Sequence, residues 1–257
     1  MANTDQASSM LNKVPAVTLA FWVIKIAATT VGETGGDALS MTLNLGYLVS
    51  TYIFAGIFVV VLAGQLATRR FHPLLYWAVI VATTTTGTTI SDYLDRTAGL
   101  GYPRASLLLF AGVLLSLGLW RLTTGSVSVS RITTRRAEFF YWMTILISNT
   151  LGTALGDFTA DSMASGFEGG ALIFGAVLVV IAAAYFFTRI NRTFLFWSAF
   201  ILTRPLGATL GDTLTKPVHD GGLNLDRIMA SLVITAFMIV CILFTRQQSE
   251  QPLEVAS

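Results

Sequence analysis

Four aspartates, Asp37, Asp92, Asp157 and Asp212, stand in one repeated setting: each lies five residues after a glycine and fifteen after a tryptophan. The glycines are Gly32, Gly87, Gly152 and Gly207, the tryptophans Trp22, Trp77, Trp142 and Trp197, and Phe21, Tyr76, Tyr141 or Phe196 precedes each tryptophan. Carboxylates gathered at one depth repel each other, and a bound cation relieves that repulsion. Hydroxyl and amide groups lie upstream in the same segments, at Thr29 and Thr30, Thr83 to Thr86, Ser148 to Thr150, and Thr203. An all-oxygen donor set suits a hard or borderline divalent cation such as Mn²⁺ or Mg²⁺. The expected metal ligands are Glu33, Asp37, Asp157 and Asp212, with Asp92 and Asp95 at the mouth of the site. Asp161, Thr85, Asn149 and Thr150 complete the candidate ion-binding residues.

Two bases interrupt apolar stretches, Lys25 in the first repeat and Arg204 in the fourth, and charges at such positions are functional candidates by default. Both serve as candidate coupling groups or counter-charges. Each precedes an acid by eight residues, too far around the helix for direct pairing, so the expected partner is on a neighbouring span. For Lys25 that partner is a carboxylate of another repeat. Pro205 removes a backbone donor beside Arg204 and frees the carbonyl of Ile201, which marks an asymmetric place in the chain.

The segments that position these groups follow from composition. Of 257 residues, 54% are apolar and 12% charged, where a soluble domain carries about 25% charged residues. A bilayer is the solvent such a chain fits. A formal charge of +2 argues against a nucleic-acid partner; the single Cys241 excludes an intramolecular disulfide, and His72 and His219 are too few for a histidine metal site. The tryptophans recur every 55, 65 and 55 residues, which makes four tandem repeats of roughly 14–67, 72–121, 137–188 and 194–245. Each holds a polar odd span with the glycine and aspartate and a plain apolar even span. The expected fold is all-α: eight transmembrane helices in four parallel hairpins forming a single domain over 1–257, odd helices inner and even helices outer.

Arginines and lysines cluster at the N-terminus and after the even spans, including the connection 121–136 between the two halves. By the positive-inside rule both termini are cytoplasmic. The first span has no small-residue cleavage site and reads as retained, which places the protein as multi-pass in the cell's inner membrane.

A packing role competes with the chemical one. Gly32 and Gly36, Gly152 and Gly156, and Gly207 and Gly211 are small-xxx-small pairs, with Gly87 and Ser91 as the fourth, and such pairs let helix backbones approach closely. Threonines can bond their own helix backbone, and aspartate after glycine can cap a following segment. The tryptophans near the cytoplasmic ends read as interfacial anchors.

With Trp22, Trp77, Trp142 and Trp197 as its marks, the chain resembles a bacterial membrane protein family built from four tandem two-span repeats of unknown function. The likeness covers nearly the whole chain and implies architecture without activity. Glu33, Gly36 and Asp37 are also similar to the acidic Gly-Asp signature of cation exchangers, although Ala38 and Leu39, and Phe158 and Thr159, depart from it. The expectation is a transporter of a divalent cation. The alternatives are an anion or small-solute carrier centred on Arg204 and Lys25, or a sensor or assembly component that transports nothing. No enzyme motif is present and no cofactor is required beyond a bound divalent cation; the partners are the lipid bilayer, a small ion or solute, and a second copy of the chain if it oligomerises.

Overall fold

The computed structural model describes residues 13–68, 70–132, 134–162, 166–245, 247 and 248, the side chains of Arg131, Asp161 and Ser162 excepted. Eight helices of 18 residues or more carry the chain: α1 Leu19–Asp37, α2 Gly46–Ala67, α3 Pro73–Asp92, α4 Tyr102–Thr124, α5 Arg135–Asp157, α6 Gly166–Phe187, α7 Arg192–Thr215 and α8 Arg227–Phe244. Among the described residues there is no strand. Five of the helices, α2, α4, α6, α7 and α8, are long and apolar enough to cross a membrane. α1, α3 and α5 are of similar length, but charges and threonine runs dilute them.

Each of the first three odd helices passes from its aspartate into a five-residue π-helical turn, Ala38–Thr42, Tyr93–Thr97 and Phe158–Ser162. Leu43 N and Ala98 N donate to the carbonyls of Ala38 and Tyr93, five residues back. No side-chain cap forms at Asp37 or Asp92, so these acids are not capping residues. Repeat spacing explains the turns that follow. Gly46, Gly101, Gly166 and Gly221 all stand 24 residues after their tryptophan, with φ of 74°, 71°, 66° and 87°. Only glycine takes such angles without Cβ strain, so each repeat reverses direction at the same place.

The odd helices form a closed ring in the order α1, α3, α5, α7, with α7 packed back on α1. The even helices lie outside it, with large apolar side chains such as Val60, Leu107, Phe187 and Leu232 exposed. Within each hairpin the two helices pack chiefly on other neighbours. α2 packs on α3, α4 on α5, α6 on α7, and α8 on α1. Each outer helix thus leans on the inner helix of the next repeat, because the turn carries the chain sideways along the ring. Thr34 and Ser231 hydroxyls, 2.7 Å apart, tie the closing pair α1 and α8.

Ring closure rests on one contact repeated four times. Numbering each repeat from its tryptophan as zero, positions 10 and 14 are the small residues and form a groove; positions 7 and 11 form a ridge. A Cβ on Gly32 would collide with Thr84, one on Gly152 with Arg204, and one on Gly207 with Thr29. A Cβ on Gly87 would lie 2.9 Å from the backbone nitrogen of Thr150 and 3.1 Å from the carbonyl carbon of Asn149. Thr29, Thr84, Asn149 and Arg204 all occupy position 7. One layer on, Gly36 receives Thr88, Gly156 receives Ala208 and Gly211 receives Glu33, all from position 11. Ridges of i, i+4 neighbours seated in grooves are a general way for helices to interlock, and here the groove is built of glycine.

At the other end the tryptophans do not anchor an interface. Trp77, Trp142 and Trp197 are buried, and all four stack into a closed collar with the preceding aromatics. Phe21 lies 5.4 Å from Trp77, Tyr76 5.4 Å from Trp142, Tyr141 6.2 Å from Trp197, and Phe196 5.9 Å from Trp22. The hydroxyls of Tyr76 and Tyr141 meet at 2.5 Å. The common direction of the four inner helices follows, since all their N-termini meet in this collar.

Gly152→Ala is expected to destabilise the protein by about 1 to 3 kcal/mol through overpacking against Arg204 and Pro205. Gly56→Ala, where an added Cβ meets nothing within 4 Å, should leave stability unchanged or slightly higher. Thermal unfolding of the two purified variants in detergent separates these outcomes.

Candidate functional site

The groups gathered inside the ring lie on one row of each inner helix, spaced by four residues. Position 3 carries Lys25, Ile80, Ile145 and Phe200; position 7 Thr29, Thr84, Asn149 and Arg204; position 11 Glu33, Thr88, Thr153 and Ala208; position 15 the four aspartates. Bonds across the ring place these rows at its centre. Lys25 on α1 reaches Asn149 on α5, and Arg204 on α7 reaches Thr88 on α3, although neither helix pair is adjacent in the ring.

Arg204 is fully buried, and one guanidinium nitrogen makes all its described bonds. Nη2 donates to Glu33 Oε2 at 2.8 Å, Thr88 Oγ1 at 2.5 Å and Thr153 Oγ1 at 2.7 Å. Three helices therefore hold the side chain of the fourth. Pro205, which marks the asymmetric place in the sequence, sits inside a helix that continues past it, with its ring against Gly152.

Lys25 does not pair with a carboxylate among the described residues. Its Nζ donates to Asn149 Oδ1 at 3.4 Å and stands 4.1 Å from the centroid of the Phe200 ring, while Asn149 Nδ2 donates to Thr83 Oγ1 at 2.9 Å. The nearest acidic position on the axis, Glu33, is already bound to Arg204.

The aspartate tier converges but is not bare. Lys216 Nζ lies 2.9 Å from Asp37 Oδ2 and 3.2 Å from Asp212 Oδ1. Arg96 Nε lies 3.3 Å from Asp92 Oδ1, and its Nη2 3.4 Å from Asp157 Oδ2. Both bases stand at position 19, in the second and fourth repeats, and each bridges its own aspartate to that of the next repeat around the ring. Arg227 Nε adds a contact to Asp37 Oδ2 at 3.7 Å. For Lys216, burial opposes the charge, but Asp212 and Asp37 outweigh it and hold its pKa well above the ordinary lysine value.

This arrangement redraws the expected ligand set. Glu33, Asp37 and Asp212 each offer an oxygen, and the three lie within 4.8 Å of one another, close enough to hold a metal ion. Asp157 is not in that group; Arg96 draws it toward Asp92 instead. Asp95 is buried one helical turn beyond Ser91 and accepts from its hydroxyl at 3.3 Å. Thr85 and Thr150 bond carbonyls of their own helices, Val81 at 3.0 Å and Leu146 at 2.9 Å, and lie off the axial row. The side chain of Asp161 lies outside the described residues.

The counter-ions of the aspartate tier, Arg96 and Lys216, are not among the expected site residues. Arg96 and Lys216 are four residues after Asp92 and Asp212, a spacing at which helical side chains meet, and that signal was available. The joint grip of Glu33, Thr88 and Thr153 on Arg204 had no local signal, because the four residues belong to four repeats.

Compared with known protein families, the chain matches four times the family described as a repeat of unknown function (DUF347), at residues 20–71, 75–126, 140–191 and 195–248. No curated protein and no solved structure matches it.

Breaking the Arg204 and Glu33 pair leaves a buried charge without its counter-ion, which costs on the order of 3 to 5 kcal/mol. Glu33→Gln should therefore unfold far more readily than the parent, whereas Glu33→Gln combined with Arg204→Met should recover much of the loss. A double-mutant cycle read by thermal unfolding measures that recovery.

Proposed function

The chain belongs to the family described as a repeat of unknown function (DUF347), and from that premise we propose that it is a multi-pass membrane transporter whose substrate is a divalent cation of the Mn²⁺ or Mg²⁺ kind. One observation carries this reading: oxygens of Glu33, Asp37 and Asp212 lie within 4.8 Å of one another inside a ring of helices. Opposite ligands of a small divalent ion bound at about 2.1 Å are about 4.2 Å apart, the same scale as this cluster.

Lys216 occupies the position of a built-in surrogate. Its ammonium already touches two of the three acids, so an entering cation replaces one protein charge by another instead of entering an empty anionic hole. A ring that needed only to hold together would be as stable or more so with apolar side chains in place of buried ion pairs. Ion handling gives those charges a reason.

The bilayer part of the reading rests on the outer helices, which are apolar along their exposed faces, and on the inner helices, of which α7 is itself long and apolar enough and α1, α3 and α5 are of similar length. The distribution of arginines and lysines supports a reading in which both termini and the aromatic collar face the cytoplasm and the aspartate tier lies near the opposite surface of the inner membrane. The collar shuts the cytoplasmic end of the axis. Access is from the tier end, where Arg96 is partly exposed, its side chain 30% accessible.

Purified protein in detergent should be stabilised by Mn²⁺ or Mg²⁺, since a ligand that binds only the folded form raises apparent stability. In proteoliposomes the parent should carry the ion, and Asp37→Asn with Asp212→Asn should reduce the flux at least tenfold, about 1.4 kcal/mol in binding terms. Flux equal to the parent's in that double variant would remove the proposed site, and a parent that neither binds nor moves either ion would favour a membrane component that transports nothing.

A further inference from the structure

Between the aromatic collar and the aspartate tier, the centre of the ring holds two basic side chains and one carboxylate. Lys25 and Arg204 are both fully buried, and Glu33 is the one carboxylate among the described residues that pairs with either. All the bonds described for Arg204 leave from Nη2; its Nε and Nη1 are buried and have no hydrogen-bond partner among the described residues. Lys25 has one long bond, to an amide oxygen, and an aromatic face. A buried charge without a counter-ion is strongly unfavourable, and guanidinium N–H groups left without acceptors add to that cost.

We infer that this middle layer is a binding site for a small inorganic monoanion, chloride being the type, held between Lys25 Nζ and the free Nε and Nη1 of Arg204. The chemistry of the surroundings selects the ligand. The threonine hydroxyls of the same layer already donate to carbonyls, Thr29 to Ile26 at 2.8 Å and Thr84 to Val81 at 2.8 Å, so the groups that remain unpartnered there are nitrogen donors. An ion that only accepts hydrogen bonds satisfies them. Size is limited by the glycine contacts at this level, where Gly32, Gly152 and Gly207 bring neighbouring backbones together. Glu33 stands between the two layers, paired with Arg204 and grouped with Asp37 and Asp212, so the anion is held by other groups than the cation and the inference does not depend on the transport reading. A bound monoanion balances the second base and makes the middle layer neutral, whatever the outer tier carries.

The test uses the full-length protein in detergent, exchanged into gluconate buffer and titrated with sodium chloride or bromide at constant ionic strength. The parent should show a saturable rise in apparent unfolding temperature, on the order of 5 °C at a hundredfold excess over Kd, given the linkage of binding to stability. Lys25→Met removes the excess charge without changing the side chain's length much. It should unfold at a higher temperature than the parent in gluconate and lose the halide response. A parent indifferent to halide, as expected if the buried lysine is neutral, would overturn the site, and so would a Lys25→Met protein that keeps the full response. Because neither measurement involves a divalent cation, its failure is distinguishable from failure of the proposed transport function.

Discussion

The seating of position 7 and 11 side chains in the glycine groove of the preceding inner helix is the contact on which the rest of the structure depends. It is made four times around the ring, and at three of the four position-10 glycines an added Cβ would collide with a side chain at the same repeat position. Small residues let the backbones approach closely, and that close packing supplies the attraction between the inner helices. The ring closes because the groove and the ridge are on the same helix. Each repeat offers a groove to one neighbour and a ridge to the other, and the fourth finds the first.

Close approach has an electrostatic consequence. With the backbones drawn together, side chains on the axial row are removed from solvent, and any charge there must find its partner within the ring. The partners are distributed by repeat: a base at position 7 of the fourth repeat, an acid at position 11 of the first, and hydroxyls at position 11 of the second and third. At the aspartate tier the repeats alternate, with a base at position 19 in the second and fourth only. Four nearly equivalent helices thus carry a two-fold charge pattern, which lets two bases serve four acids.

The outer helices add a second closure. Since each one packs on the inner helix of the following repeat, no repeat is a self-sufficient unit, and α8 covers α1 to finish the circuit. Removing any one repeat would leave an inner helix uncovered and a groove unfilled. The π-helical turns after α1, α3 and α5 belong to the same design: they displace the chain as it leaves the ring, and the second of them carries Arg96 to its two aspartates. α7 has no such turn and runs as α-helix to Thr215, which brings Lys216 to the matching place by a different route.

Much of the fold was legible because its signals are local. Length and apolarity of the spans, the repeat of tryptophan, glycine and aspartate, and the small-residue pairs are properties of short windows, and they determined by themselves the number, order and inner or outer character of the helices. The shared depth of Asp37, Asp92, Asp157 and Asp212 followed from equal spacing to Trp. What spacing could not decide was pairing. Glu33 meets Arg204 across 171 residues and Asp37 meets Lys216 across 179, and both meetings exist only because the ring closes. The same closure turned the tryptophans from presumed anchors into a buried collar, moved each outer helix onto the next repeat, and left Lys25 facing an amide and an aromatic ring. A sequence states which groups a helix presents along its length; which groups it faces is decided when backbones pack closely enough to exclude every other neighbour.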